Sequence, residues 1–352
     1  MSTHPDLAEP EQSSSPEESS EAPAPGKRRR RWRIVLYVLL VFVLLGAGGA
    51  VAGGLYLKSV EKSVERVDAF SEVPEAARPT KAAVATDALN ILMLGSDSRD
   101  PDNTQGSRAD TIIIAHLTKD RSSAQLISIP RDTWVYVPKA AKNDYADRNA
   151  KINASYAWGG IPLVVQTVEK FTGVRIDNVA IVDFGGFKEI IDALGGIDIE
   201  VEQDFTSIHP PYRKFTKGTM HMDGATALDY SRQRKQFADG DFARIRHQQQ
   251  VITAILDKGA SGGLLGSPTK LNDFLRATAN SVSVDKTMSL VDLASQLRHL
   301  RSGNLTFLTN PSKGTGMVGS ESVVFPDKAK DKTLYEAVQN DKVDEILAAA
   351  TK

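Results

Sequence analysis

Asn90-Ile-Leu-Met-Leu-Gly95, Thr111-Ile-Ile-Ile-Ala-His-Leu117 and Gln125-Leu-Ile-Ser-Ile-Pro130 are three short apolar runs spaced along the first half of the chain. Each is continuous rather than alternating, and each is too brief for a core helix. Such runs predict strands buried on both faces of a sheet. A sheet covered on both faces needs helices, and helical spacing follows in Leu163 to Phe171 and Phe187 to Leu194. The second of these stops at Gly195-Gly196, where glycine accepts the left-handed cap. Ile197-Asp-Ile-Glu-Val201 alternates like a strand with one wet face. Helices are predicted over Ala225 to Arg234 and Asp241 to Lys258, with Gly259 to Gly266 as a breaker. A helix over Ser289 to Leu300, a strand over Leu305 to Leu308 and a terminal helix near Leu334 to Ala350 complete the pattern. No internal repeat is visible. The expected fold is a single α/β domain over residues 88–352, a mixed sheet with helices on both faces.

The N-terminal part obeys different physics. Residues 1–26 are rich in Ser, Pro, Glu and Ala and lack Lys and Arg. That composition cannot bury enough apolar surface to offset ordering entropy, so a disordered tail is expected over residues 1–33, its end being the cationic run Lys27-Arg-Arg-Arg-Arg-Trp-Arg33. Ile34 to Leu57 then carries no charge, and its length matches the roughly 20 residues that cross a bilayer core. The cationic flank predicts a cytoplasmic N-terminus and an extracytoplasmic remainder. A cleaved signal peptide, cut near Ala50-Val-Ala52, is the competing reading. Residues 58–87 are charged and proline-dotted and read as a juxtamembrane stalk, with a short helix around Val60 to Phe70. The chain has no cysteine, so the outer domain must hold by packing alone. A net charge of −1 over 352 residues gives no sign of nucleic-acid binding.

The chemistry concentrates elsewhere. Tyr230-Ser-Arg-Gln-Arg234 and Asp241-Phe-Ala-Arg-Ile-Arg246 place four arginines and a carboxylate in one window. Arg108 and Arg131 wait upstream. Arginine presents a planar fork that matches phosphate oxygens two at a time, so convergence of these side chains would make a pocket for more than one phosphate. Singly, each is equally explained as a solvated ion pair. Asp97 and Asp110 stand where strands meet loops, and Asp132 follows Arg131. Carboxylates in such company suit Mg²⁺, which takes one or two of them and leaves its other positions to water and phosphate. Turn and capping chemistry explains any one of them as well.

Six ordered motifs carry a resemblance. They are Leu94-Gly-Ser-Asp-Ser-Arg99, Arg108-Ala-Asp-Thr111, Ile127-Ser-Ile-Pro-Arg-Asp-Thr133, Lys151-Ile-Asn-Ala-Ser-Tyr-Ala-Trp-Gly-Gly160, Val182-Asp-Phe-Gly-Gly-Phe187 and Ala227-Leu-Asp-Tyr-Ser-Arg-Gln-Arg234. From about Asn90 to Ile252 the chain resembles the LytR-CpsA-Psr proteins. These are held by one N-terminal helix in the cytoplasmic membrane and attach anionic glycopolymers, carried on a polyprenyl pyrophosphate, to peptidoglycan. The resemblance implies pyrophosphate ligands at Arg108, Arg131, Arg232, Arg234 and Arg244. It implies Mg²⁺-associated carboxylates at Asp97 and Asp110, and further polar contacts from Lys151, Asp241 and Gln248. His247 departs from the pattern, which often carries arginine there. No C-terminal accessory domain of the kind some relatives have is expected.

The implied reaction is attack of a peptidoglycan hydroxyl on the sugar-side phosphorus, with lipid monophosphate leaving. Such a transfer needs positioning and charge neutralisation more than a protein nucleophile, and no Gly-x-Ser-x-Gly elbow is present. Arg131 would serve catalysis as well as binding. Asp97 or Asp110 would take the hydroxyl proton, and the sequence does not choose between them. The lipid tail needs an apolar slot, for which the helices at Leu163 to Phe171 and Phe187 to Leu194 are candidates. The alternatives are a hydrolase of lipid pyrophosphates and a non-catalytic membrane-bound regulator. The polymer itself is not legible.

Overall fold

The computed structural model describes residues 56, 58–96, 109–139, 146–297 and 300–350. The tail, the cationic run, the apolar span except Tyr56, and Asp97, Arg99 and Arg108 lie outside the described residues. The strands run β1 (Glu65–Val67), β2 (Leu89–Ser96), β3 (Ala109–Leu117), β4 (Ala124–Ser128), β5 (Trp134–Val137), β6 (Arg148–Lys151), β7 (Asn178–Asp183), β8 (Ile197–Val201), β9 (Phe205–Thr206), β10 (Lys214–Phe215), β11 (Gly218–Met222), β12 (Val282–Asp285), β13 (Leu305–Thr309), β14 (Ser312–Val318) and β15 (Glu321–Pro326). The helices are α1 (Ala154–Thr172), α2 (Phe184–Ala193), α3 (Gly224–Arg232), α4 (Asp241–Gly259), α5 (Gly262–Leu265), α6 (Pro268–Ser281), α7 (Leu290–Leu297), α8 (Lys328–Gln339) and α9 (Val343–Ala350).

The three apolar runs form the antiparallel centre of a seven-stranded sheet ordered β1-β12-β7-β2-β3-β4-β13. The pairs β1/β12, β7/β2 and β4/β13 are parallel, so the sheet is mixed. Successive side chains on a strand point to opposite faces, and here both faces are dry. Leu92, Leu94, Ile112, Ile114 and Ile127 pack with Leu163, Val164 and Val168 of α1 and with α8. Ile91, Met93, Ala115 and Leu117 pack with Ala279 of α6 and Leu293 of α7. That two-sided burial is why the runs do not alternate in sequence.

A separate cluster joins α2, α3 and α4 to the pair β8/β11, around Ile191, Ile199, Tyr230 and Val251. Two glycines set how closely its helices approach. A Cβ on Gly186 would stand 2.5 Å from the Ser281 carbonyl oxygen, and one on Gly224 would stand 2.3 Å from that of Lys188. No side chain fits at either place, so α2 is clasped between α6 and α3.

Three expectations need correction. Residues 58–87 are not a free stalk: β1 completes one edge of the sheet, and Val67, Ala69 and Val73 are buried in the main core. The short helix expected around Val60 to Phe70 is present only over residues 58–62; beyond it the chain becomes β1, because Val67 finds a place at the sheet edge. Leu163 to Phe171 is mostly not a slot wall: Leu163, Val164, Val165 and Val168 are spent on the sheet, and only its end, at Phe171, reaches a cavity. The terminal helix is two, α8 and α9, interrupted where Asp341 takes a positive φ of 56°.

Arg78 ties the N-terminal strap down. Its Nε lies 3.2 Å from both oxygens of Glu169, and its Nη2 donates to Oε1 at 2.9 Å. Glu169 is 2% exposed and also accepts from the Ile176 amide at 2.9 Å. Removing one partner of a buried pair leaves an uncompensated charge. Arg78→Ala is therefore expected to lower stability by about 3–5 kcal/mol in denaturant unfolding of the purified protein.

Candidate functional site

β2, β3 and β7 end at one edge of the sheet, facing the second cluster, and a cavity of about 430 Å³ opens between them. Its walls have two characters. Asp110 from the start of β3, Arg131 just after β4, Arg232 from the last turn of α3, Arg234 beyond it, and Arg244 and Gln248 from α4 form a polar mouth. Behind them Met93, Ile113, Ala180, Phe187, Ile255 and Phe274 form an apolar barrel.

Local structure explains the convergence. α3 stops at Arg232 because Gln233 turns extended at φ −70°, ψ 135°, so Arg234 leaves the helix and swings to the mouth. On α4, positions 241, 244 and 248 fall on one face at helical spacing. Asp241 sits in the first turn, where a carboxylate suits the helix dipole, and holds Arg244 Nη2 at 2.9 Å. Arg131 is ion-paired with Asp110. Arg232 lies over the Phe184 ring, 4.7 Å from its centroid.

The electrostatics favour an incoming anion. Burial pushes the Asp241 carboxyl up, with Arg244 opposing it, and pushes the Arg244 guanidinium down, with Asp241 opposing. Both directions say that burial costs this pair more than mutual attraction returns. Burial also works against Arg131, but Asp110 outweighs it and raises its pKa. The Nε atoms of Arg131 and Arg244 are buried without a hydrogen-bond partner among the described residues. Among the described residues, four guanidiniums face two lining carboxylates, Asp110 and Asp183. A buried donor without a partner costs about 1–3 kcal/mol, which an oxyanion in the mouth would relieve.

The expected residues divide accordingly. Asp110, Arg131, Arg232, Arg234, Arg244 and Gln248 line one cavity, and Asp241 braces Arg244 from behind. Lys151 is not on the wall. It lies 3.6 Å from Asp132, which in turn is 3.8 Å from Arg131 Nε, so it stands at the shoulder of the mouth. Asp97 and Arg108 lie outside the described residues. Sequence reasoning missed Phe184, Ile255, Leu256 and Phe274 as wall residues, since apolar helix positions read first as core. One signal was available: α4 is apolar at Val251, Ile252, Ile255 and Leu256, a stripe wider than one buried face requires.

The model of the LytR_cpsA_psr family matches residues 55–340. The chain belongs to this family. It is 34% identical over 262 residues to a polyisoprenyl-teichoic acid–peptidoglycan teichoic acid transferase, TagU, from Bacillus mycoides, covering 72% of this chain and 80% of that protein. The crystal structure of B. subtilis TagV superposes with a TM-score of 0.61 at 28% identity, over 73% of this chain and 97% of that one. A LytR-Csp2A-Psr enzyme from Actinomyces oris shares the fold, with a TM-score of 0.60 at 22% identity over 78% and 96% of the two chains.

His247, the departure from the family motif, points away from the cavity. It is 1% exposed, with its ring 4.3 Å from Tyr230 and 4.8 Å from Phe237. It therefore takes no group from the cavity wall. Burial pushes its pKa down to about 4, against about 6.5 in an unfolded chain. The fold holds it neutral, so its stability is complete above about pH 6.5 and falls as pH drops toward 4. Asp331, raised to about 6, acts with the opposite sign, losing stability as pH rises through 6. The comparison that isolates His247 is the wild type against His247→Phe. From pH 7 to pH 5 the wild type should lose about 2 kcal/mol relative to the variant, read by denaturant titration at each pH. A pH-independent difference would mean that His247 titrates normally.

Proposed function

We propose that the chain is a membrane-anchored, extracytoplasmic phosphotransferase that attaches an anionic glycopolymer from a polyprenyl-pyrophosphate donor to peptidoglycan. The observation that carries this reading is the union of an arginine mouth with an apolar barrel in one cavity. A pyrophosphate bonded to a hydrocarbon chain has that same division, and a free nucleotide or phosphosugar has no use for the barrel. The named activity of the Bacillus relatives supports it. Anchoring would come from residues 34–57. Among the described residues no helix is long and apolar enough to cross a membrane.

In this reading Arg131, Arg232, Arg234 and Arg244 bind the two phosphates and hold the charge that spreads over their oxygens in transfer. A peptidoglycan hydroxyl oxygen forms the new bond to the sugar-side phosphorus. The bond to the bridging oxygen breaks, and polyprenyl phosphate leaves along the barrel. The hydroxyl proton passes to a carboxylate, Asp110 or Asp97. Charged hydrogen bonds contribute roughly 1.5–3 kcal/mol each. Arg131→Ala, Arg232→Ala and Arg234→Ala should thus each weaken binding of a polyprenyl pyrophosphate by about one to two decades, measured by titration calorimetry in detergent. Three folded variants that bind like the wild type would reduce these arginines to surface charges.

Mg²⁺ belongs to the proposal. Among the described residues no three His, Cys, Asp or Glu side chains gather as a metal cage. Mg²⁺ needs only one or two carboxylates beside phosphate and water, and Asp110 offers one at the mouth, so the residues fit. Asp110 and Asp97 would hold the ion, which when bound would add positive charge beside the phosphate oxygens. Asp110→Asn should then abolish transfer and its Mg²⁺ dependence while sparing much of the affinity for lipid pyrophosphate. Full-rate transfer in excess chelator would remove the metal and leave the carboxylates as base or orienting groups.

A further inference from the structure

A second and larger cavity, about 910 Å³, shares no lining residue with the first. Its floor is the hairpin of β5 and β6, and its walls come from the end of α1, the β14–β15 ribbon and α8. Nothing in the transfer chemistry above uses it.

Its chemistry is specific. Trp134 and Tyr136 project from alternate positions of β5, and Tyr136 is 43% exposed. Large aromatic rings left at a wet surface offer flat apolar faces with a polar rim. On the facing wall, Asp331 is 5% exposed; Asn310 lies beside its carboxylate, but no donor among the described residues meets either oxygen with hydrogen-bond geometry. A buried carboxyl in that condition is costly unless a donor arrives. Four lysines, Lys170, Lys313, Lys328 and Lys332, outnumber the two carboxylates, Asp331 and Glu336, on the lining. Flat apolar faces, an acceptor for hydroxyls and surplus cations together match a sugar chain that bears anionic groups.

The groove also connects to the reaction centre. Trp134 pairs across the hairpin with Lys151, and Tyr136 pairs with Asn149. Cross-strand partners share a face, so Lys151, Trp134, Tyr136 and Asn149 make one track. Lys151 reaches Asp132 at 3.6 Å, and Asp132 follows Arg131 directly in the chain. One end of the track is therefore the shoulder of the arginine mouth.

We propose that this groove is a second saccharide site, seating the carboxylate-bearing peptidoglycan strand whose hydroxyl is delivered to the arginine mouth. Naming the occupant as acceptor rests on the transferase reading; the groove itself is tested without turnover. Full-length protein in detergent is co-sedimented with sacculi stripped of phosphate polymers, and with soluble glycerol phosphate polymer as competitor. Tyr136→Ala and the double variant Lys328→Glu, Lys332→Glu alter exposed side chains and should keep the fold. Each should raise the half-saturating sacculus concentration about tenfold, with affinity for polyprenyl pyrophosphate unchanged. Undiminished sedimentation of both variants would overturn the site. So would a wild-type preference for glycerol phosphate polymer over stripped sacculi, which would give the groove to the donor. Loss of transfer activity with groove binding intact would strike the transferase reading alone.

Discussion

Guanidiniums repel one another, and four of them share the mouth of a single cavity. What allows this is the set of carboxylates threaded among them: Asp110 on Arg131, Asp241 on Arg244, and Asp132 between Arg131 and Lys151. Each carboxylate sits on a different element, so the charge balance can exist only when β3, the end of β4 and the start of α4 are brought together. The compensation is incomplete, as the buried Nε atoms show. That shortfall is what an anion in the mouth would make good.

The apolar barrel answers to a different constraint. Its walls come from the sheet edge on one side and from α2, α4 and α6 on the other, and the close backbone contacts at Gly186 and Gly224 fix where α2 can lie. A larger residue at either position would push α2 out of place and open or collapse the barrel. The mouth is thus controlled by electrostatics and the barrel by backbone sterics, with Phe184 and Phe187 at the start of α2 belonging to both.

Much of this is legible in the sequence. The continuous runs at Asn90, Thr111 and Gln125 announced a doubly covered sheet because burial on both faces removes alternation. That arginines would gather was legible because they crowd two short windows, and Arg131, Arg232, Arg234 and Arg244 do line one cavity. The strap was not legible: Val67, Ala69 and Val73 are too few and too scattered to give a period, and only the sheet edge across the chain gives them a partner. The β5–β6 hairpin was missed for a similar reason. Trp134-Val-Tyr-Val137 is a short apolar run, but Arg148-Asn-Ala-Lys151 does not read as a strand without its partner. Which apolar helix lines a cavity and which fills a core is a tertiary distinction, and α1 and α2 carry nearly the same local signal.

The strand order has a consequence for how the chain comes together. Synthesis delivers β2, β3 and β4 in succession, each antiparallel to the last, and such local pairings close fastest. Both flanks of the sheet then wait. β1 is among the first segments made, yet it pairs with Ser283–Asp285, and β4 remains an open edge until Leu305–Thr309 arrives. An uncovered strand edge is a template for pairing with another chain. Nascent molecules therefore carry two unfinished borders for most of their synthesis, and their vulnerability to misassembly ends only with the last fifth of the polypeptide.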